Sequence, residues 1–170
     1  MKYGIALFPS KELQSRINSY RKRYDTHYAV IPPHITVKEP FELKEDELAR
    51  LLENLDAIRK GIGPIRIVVN KIRSFQPVNN VIYLRVDDDP ALTELHDRLH
   101  HPDFPNTKSY HFIPHITIAQ DLSDIEHIDI YDRLKMIQFY HEETIREFHL
   151  LYRDDSGTWK IYQTFKLEGE

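Results

Sequence analysis

The chain has 170 residues, 41% of them hydrophobic and 29% charged, with a formal net charge of −4. That size and balance suit one globular domain, or one domain made of two similar lobes, and the negative charge argues against an extended basic surface gripping nucleic acid through many phosphates. There are no cysteines, which removes disulfides, thiolate metal sites and a cysteine nucleophile; no apolar run nears membrane-spanning length, so no membrane partner is expected and a cytoplasmic location is the default.

In chain order, "YGIALFP" reads as a short buried strand closed by Pro9. Ser10 then caps a helix in which Leu13, Ile17, Tyr20 and Tyr24 recur at helical spacing through about Asp25. "IPPHITVKEP" follows, and after it Leu48, Leu51, Leu52, Leu55 and Ile58 mark a second amphipathic helix, stopped by "GIG" and Pro64. "IRIVVNKIRSF" and "VIYLRV" are strand-like, joined by a "QPVNN" turn. Leu92, Leu95 and Leu99 mark a helix ending before Pro102, and the loop "HPDFPNTKSY" leads to "FIPHITIAQ". A helix over roughly Glu126 to Ile137 comes next, then "TIREFHLLYRD" and "TWKIYQTFKLE" as strands around a "DSG" turn.

Each half of the chain thus reads as helix, Pro-His-Ile-Thr strand, helix and strand pair. The expected fold is α+β and bilobal. Residues 1–170 form a single domain of two pseudo-twofold-related α/β lobes, with antiparallel sheets lining a central cleft.

The tetrapeptide Pro-His-Ile-Thr occurs at Pro33–Thr36 and again at Pro114–Thr117, each time followed by an apolar residue. With 10 prolines and 10 histidines in the chain, chance would repeat a given such tetrapeptide in roughly 3 of 1,000 chains of this composition. Strand side chains alternate between faces. His34 and Thr36 therefore share one face, with Ile35 and Val37 on the other; His115 and Thr117 pair in the same way, backed by Ile116 and Ile118. The preceding prolines cannot donate to a sheet ladder, so each strand begins at or just before its histidine.

An imidazole beside a hydroxyl, presented twice, suits in-line attack at a phosphodiester. One histidine serves as base and the other as acid, and the threonine hydroxyls donate to the non-bridging oxygens. No cofactor is called for. Two histidines are too few for a closed zinc site, and "DDDP" at Asp87–Pro90 reads as a charged loop capping the next helix. There is no GxSxG, Walker or GxGxxG motif. The other eight histidines are assigned no role.

"PHITV" and "PHITI", about 80 residues apart in a chain of this length, resemble the paired His-x-Thr motifs of the 2H phosphoesterase superfamily. That superfamily includes the bacterial 2′-5′ RNA ligase-like proteins and cyclic phosphodiesterases. The resemblance implies His34 and His115 as the catalytic acid–base pair, and Thr36 and Thr117 as the phosphate-binding residues. It implies a small nucleotide or RNA-terminus phosphoester as substrate, either a 2′,3′-cyclic phosphate or a 2′-5′ linkage. The alternative is a nucleotide- or RNA-end-binding module with the same cleft and little turnover. Many members carry an arginine or lysine shortly after the second motif, whereas this chain has Gln120 and Asp121. Lys38 reads as a solvated lysine, and Lys38, Arg73, Lys108 and Tyr110 stay outside the catalytic set. The sequence sets no oligomeric state.

Overall fold

The computed structural model describes residues 1–105 and 111–170. In chain order its elements are β1 (Lys2–Leu7), α1 (Lys11–Tyr24), β2 (Ile35–Glu42), α2 (Glu45–Gly61), β3 (Ile65–Ser74), β4 (Ile82–Val86), α3 (Pro90–Leu99), β5 (His115–Ala119), α4 (Asp124–Leu134), β6 (Tyr140–Ile145), β7 (Glu147–Arg153) and β8 (Trp159–Lys166). Among the described residues the strands form two four-stranded sheets, ordered β2-β1-β7-β8 and β5-β4-β3-β6. Every pairing is antiparallel. The fold is therefore the expected bilobal α+β arrangement. The twofold relates the unit β1-α1-β2-α2 to β4-α3-β5-α4, and each unit ends its sheet with a Pro-His-Ile-Thr strand at the edge.

Local signals account for most boundaries. The Ser10 hydroxyl accepts the Leu13 N–H at the start of α1. Ser123 and Glu126 close a capping box at the start of α4. That box begins α4 at Asp124, and the helix ends at Leu134, three residues before Ile137. Asp89 in "DDDP" accepts the Ala91 and Leu92 N–H groups as the N-cap of α3, which is the capping role expected for that loop.

Two expectations are corrected. The halves of the chain are not the lobes: β3 and β4, from the first half, build the sheet of the second motif, while β7 and β8 return to the sheet of the first. The reason lies in β7, whose run Phe148–Leu151 is buried throughout. Such a strand needs neighbours on both sides, and it finds them in β1 and β8. The second correction is β6: sequence patterning assigns no element to Tyr140–Glu143 and runs Thr144 and Ile145 into the strand that follows. Its residues Tyr140–Thr144 carry charged and polar side chains and form a sheet edge, where charge is expected. The chain crosses from one sheet to the other at Arg146.

One continuous core runs under both sheets. Ile35 and Val37 from the first motif and Ile116 and Ile118 from the second all belong to it, none more than 1% exposed. A smaller cluster of Ala6, Ile31 and Leu151, with Phe8, Val30 and Trp159 against it, lies on the opposite face of the first sheet.

Candidate active site

The two motif strands are edges of different sheets and lie beside each other, with α1 packing toward β5 and α3 toward β2. Alternation does what the sequence pattern predicts: the isoleucines enter the core, while His34, Thr36, His115 and Thr117 are half-buried and line one cleft of about 270 Å³.

The histidines are held alike. His34 Nδ1 lies 2.8 Å from the Pro32 carbonyl oxygen, and His115 Nδ1 lies 2.7 Å from that of Ile113. A carbonyl only accepts, so each Nδ1 carries the hydrogen and each Nε2 is left to exchange a proton. Aromatic edges fix the ring planes. Phe8 meets His34 at 6.4 Å between centroids, and Phe75 and Tyr83 meet His115 at 5.0 and 5.3 Å. Burial pushes the His34 imidazole down to about 4, against the Pro32 carbonyl that favours its charged form and helped by the Arg21 guanidinium. Burial also lowers His115, against the Ile113 carbonyl that favours its charged form. Both rings are thus neutral near pH 7 before a ligand arrives.

The segment leading to His34 is pinned from below. Arg21 is 1% exposed, and its guanidinium donates to Asp25 (2.9 Å), Asn18 (3.0 Å) and the carbonyls of His27 and Ile31. Asp25 in turn accepts the His27 N–H and the Gln120 side-chain amide, both at 2.8 Å. The Gln120 backbone N–H reaches the Tyr24 carbonyl, and the Thr26 hydroxyl bonds the Asp121 carboxylate. Asp121 has a left-handed backbone, φ 58°, which an Asp tolerates better than most residues. The two residues that follow β5, Gln120 and Asp121, therefore join the second lobe to the loop of the first.

Lys38 is not solvated. A register shift in β2 puts it opposite Ile5, the lysine is 1% exposed, and its Nζ donates to the Leu99 carbonyl at the end of α3 (2.8 Å). Burial lowers it to about 8. Arg73 is exposed on β3 opposite Tyr83. Lys108 and Tyr110 lie outside the described residues, as does the second half of the "HPDFPNTKSY" loop. Sequence reasoning missed Arg21 and Trp159, both of which line the cleft. For Arg21 a signal existed, since Leu13, Ile17, Arg21 and Asp25 follow one another at i+4 along the buried face of α1. Trp159 gave none; only the folded sheet lets its indole reach across β7 to Gly4 of β1. Among the described residues no cluster of three or more His, Asp or Glu is placed to hold a metal ion, and no helix is long and apolar enough to cross a membrane.

Two antiparallel lobes, each presenting a His-x-Thr edge to one cleft, define the class of two-histidine phosphoesterase folds. Residues 9–157 match the 2′-5′ RNA ligase superfamily profile, and the chain belongs to that family. A Bacillus mycoides (strain KBAB4) protein named "Putative phosphoesterase" is 48% identical over 170 residues, 100% of this chain and 99% of its own. A Bacillus cereus (strain AH820) protein of the same name is 48% identical over 167 residues, 98% and 97% of the two chains. Among solved structures, a Thermus thermophilus protein superposes with TM-score 0.73 at 18% identity, covering 100% of both chains. Escherichia coli LigT in apo form superposes with TM-score 0.74 at 16% identity, covering 98% of this chain and 96% of its own. At those identities the structures share the fold.

Proposed function

We propose that this protein hydrolyses a phosphodiester of a nucleotide or RNA end, a 2′,3′-cyclic phosphate or a 2′-5′ linkage, through paired-histidine acid–base catalysis. The carrying observation is the matched pair: two imidazoles, each anchored through Nδ1 to the carbonyl two residues back, beside two threonines on one cleft. With phosphorus between them, one Nε2 takes the proton of the attacking water as the new P–O bond forms. The other, protonated, gives its proton to the oxygen of the P–O bond that breaks. Thr36 and Thr117 donate to the non-bridging oxygens, where negative charge grows. Fixed rings and a core-backed floor hold this geometry without reorganisation. Support for a nucleotide comes from LigT, whose structures were solved with 3′-AMP, NADP+ and ATP.

The test is hydrolysis of 2′,3′-cyclic nucleotides and short 2′-5′ and 3′-5′ RNA with EDTA present, for the wild type and for His34→Ala and His115→Ala. Turnover lost in both variants is expected. No turnover across the panel, or full turnover in both variants, refutes the proposal. A second reading, a nucleotide- or RNA-end-binding module, is favoured by one observation: Gln120 and Asp121, after the second motif, supply no cation and instead join the lobes. It predicts saturable nucleotide binding with no turnover.

A further inference from the structure

The central cleft is small. At about 270 Å³ it lies just under the roughly 300–1,000 Å³ of sites that enclose a whole small molecule. Two larger hollows flank it. One, of about 550 Å³, shares Leu151 and Trp159 with the cleft and is walled by Phe8 and His149. The other, of about 500 Å³, shares Thr36, Glu39 and His115 with the cleft and is walled by Phe75, His100 and Phe112. They open beside different histidines, since Phe8 is edge-on to His34 and Phe75 is edge-on to His115.

We infer that the site takes a linear diester with a nucleoside on each side of phosphorus, one base resting by Trp159 and the other by Phe112. This rests on the phosphoesterase reading for the central cleft and specifies its substrate. Both hollows offer flat rings at half-buried positions. The Trp159 indole lies against Gly4, whose missing Cβ would stand 3.7 Å from it. Phe112 stacks on His96 at 4.1 Å and 8°, which holds its plane. Base–aromatic stacking needs such supported planes and tolerates any base.

Charge separates this ligand from a nucleoside triphosphate or a long polyanion. The first hollow balances Lys11 and Arg146 against Glu143 and Glu147. The second has Glu39 and neither lysine nor arginine among its described walls, and burial keeps His100 below the ordinary imidazole range, hence neutral near pH 7. Among the described residues, extra phosphates find no net positive charge in either hollow. A single central phosphate between two uncharged nucleosides fits both, and a cyclic mononucleotide fills only one.

The test measures binding by calorimetry to the His34→Gln/His115→Gln double variant, which leaves the ligand intact. The probes are a 2′-5′ dinucleoside monophosphate, its 3′-5′ isomer, a 2′,3′-cyclic mononucleotide and a 5′-mononucleotide. We expect at least one dinucleoside isomer to bind roughly 10-fold or more tightly than either mononucleotide, and to quench the emission of Trp159, the chain's single tryptophan. Adding Trp159→Ala or Phe112→Ala should weaken that dinucleoside by roughly 5- to 150-fold each, the worth of one base stack, while the cyclic mononucleotide responds to only one of them. Trp159→Phe should restore most of the affinity. Phe112→Leu, which keeps bulk without a ring, should behave like the alanine variant if the latter folds poorly. Equal affinities for dinucleosides and mononucleotides, or unchanged dinucleoside affinity in either arm variant, overturns the inference even if cyclic nucleotides are hydrolysed. Tight two-armed binding without wild-type turnover overturns the phosphoesterase reading alone.

Discussion

Asp25→Asn should destabilise this protein far more than its position at a helix end suggests. In the folded chain the Asp25 and Arg21 side chains are 1% and 2% exposed, with Oδ2 2.9 Å from Nε. The substitution leaves the guanidinium buried without its counter-charge. Removing one partner of a buried pair costs about 3–5 kcal/mol. The carboxamide keeps one acceptor oxygen, so part of the bonding to the His27 N–H and the Gln120 amide survives, and about 3 kcal/mol is the expected cost. Against a total stability of about 5–15 kcal/mol, that is a large share. For a chain of this length 1 kcal/mol moves Tm by about 2–4 °C, so the midpoint should fall by roughly 6–12 °C in a circular-dichroism melt near neutral pH. Arg21→Met should cost less in the Asp25→Asn background than in the wild type, because the charge it removes is already uncompensated. The loop that carries His34 should lose its position, and turnover should drop in protein that is still folded. A fall in Tm below about 2 °C, or no coupling between the two substitutions, would refute the reasoning.

The remaining expectations concern chemistry. His34→Ala and His115→Ala should each lower kcat/KM by about 10²–10⁴, with EDTA leaving wild-type rates unchanged; a metal requirement restored by added divalent ions would contradict the paired roles. The pH profile of kcat/KM should be bell-shaped, with its optimum on the acid side of neutrality. Both imidazoles are lowered, His34 to about 4. The rate falls as pH rises through the higher pKa because the acid loses its proton, and falls again below the lower one because the base gains one. An optimum at about pH 8 or above would count against this. Thr36→Val and Thr117→Val should each slow kcat by about 10- to 150-fold, the worth of roughly 1.5–3 kcal/mol for a hydrogen bond to a charged oxygen. Losses under about threefold in both would remove the threonines from that role.

Much of the site was legible because period-two alternation is a strong constraint: once Ile35 and Ile116 are core, the His and Thr must face away. The helices were legible through their apolar stripes and their caps at Ser10 and Asp89. What stayed hidden depended on partners distant in sequence. The crossing of β7 and β8 into the first sheet is decided by where a strand buried from Phe148 to Leu151 finds neighbours on both sides, and β6 carries too many charges to read as a strand. Lys38 looked solvated because the register shift that turns it toward Leu99 leaves no trace in composition. Trp159 becomes part of the cleft only through its sheet neighbours.

The exchange of strands between lobes bears on the chemistry. Two histidines that must face one phosphorus atom need their separation held to fractions of an ångström. Lobes joined by a single linker would leave that distance to a hinge. Here the chain enters the first sheet, builds the second, and returns to the first, so opening the cleft would have to strain both crossings. Polar ties reinforce the join on two sides. The Glu143 carboxylate on β6 accepts the Ser10 N–H at the head of α1 (3.0 Å), and Gln120 bonds Asp25 at its foot. The edge strands, ordinarily the exposed and adjustable parts of a sheet, are thereby made rigid where they meet. The neutral Gln120 after the second motif fits the same logic. Gln120 reaches the Asp25 carboxylate as a neutral donor, while the cation that balances this carboxylate, Arg21, lines the cleft and adds to the burial that keeps the His34 imidazole uncharged until a phosphate arrives.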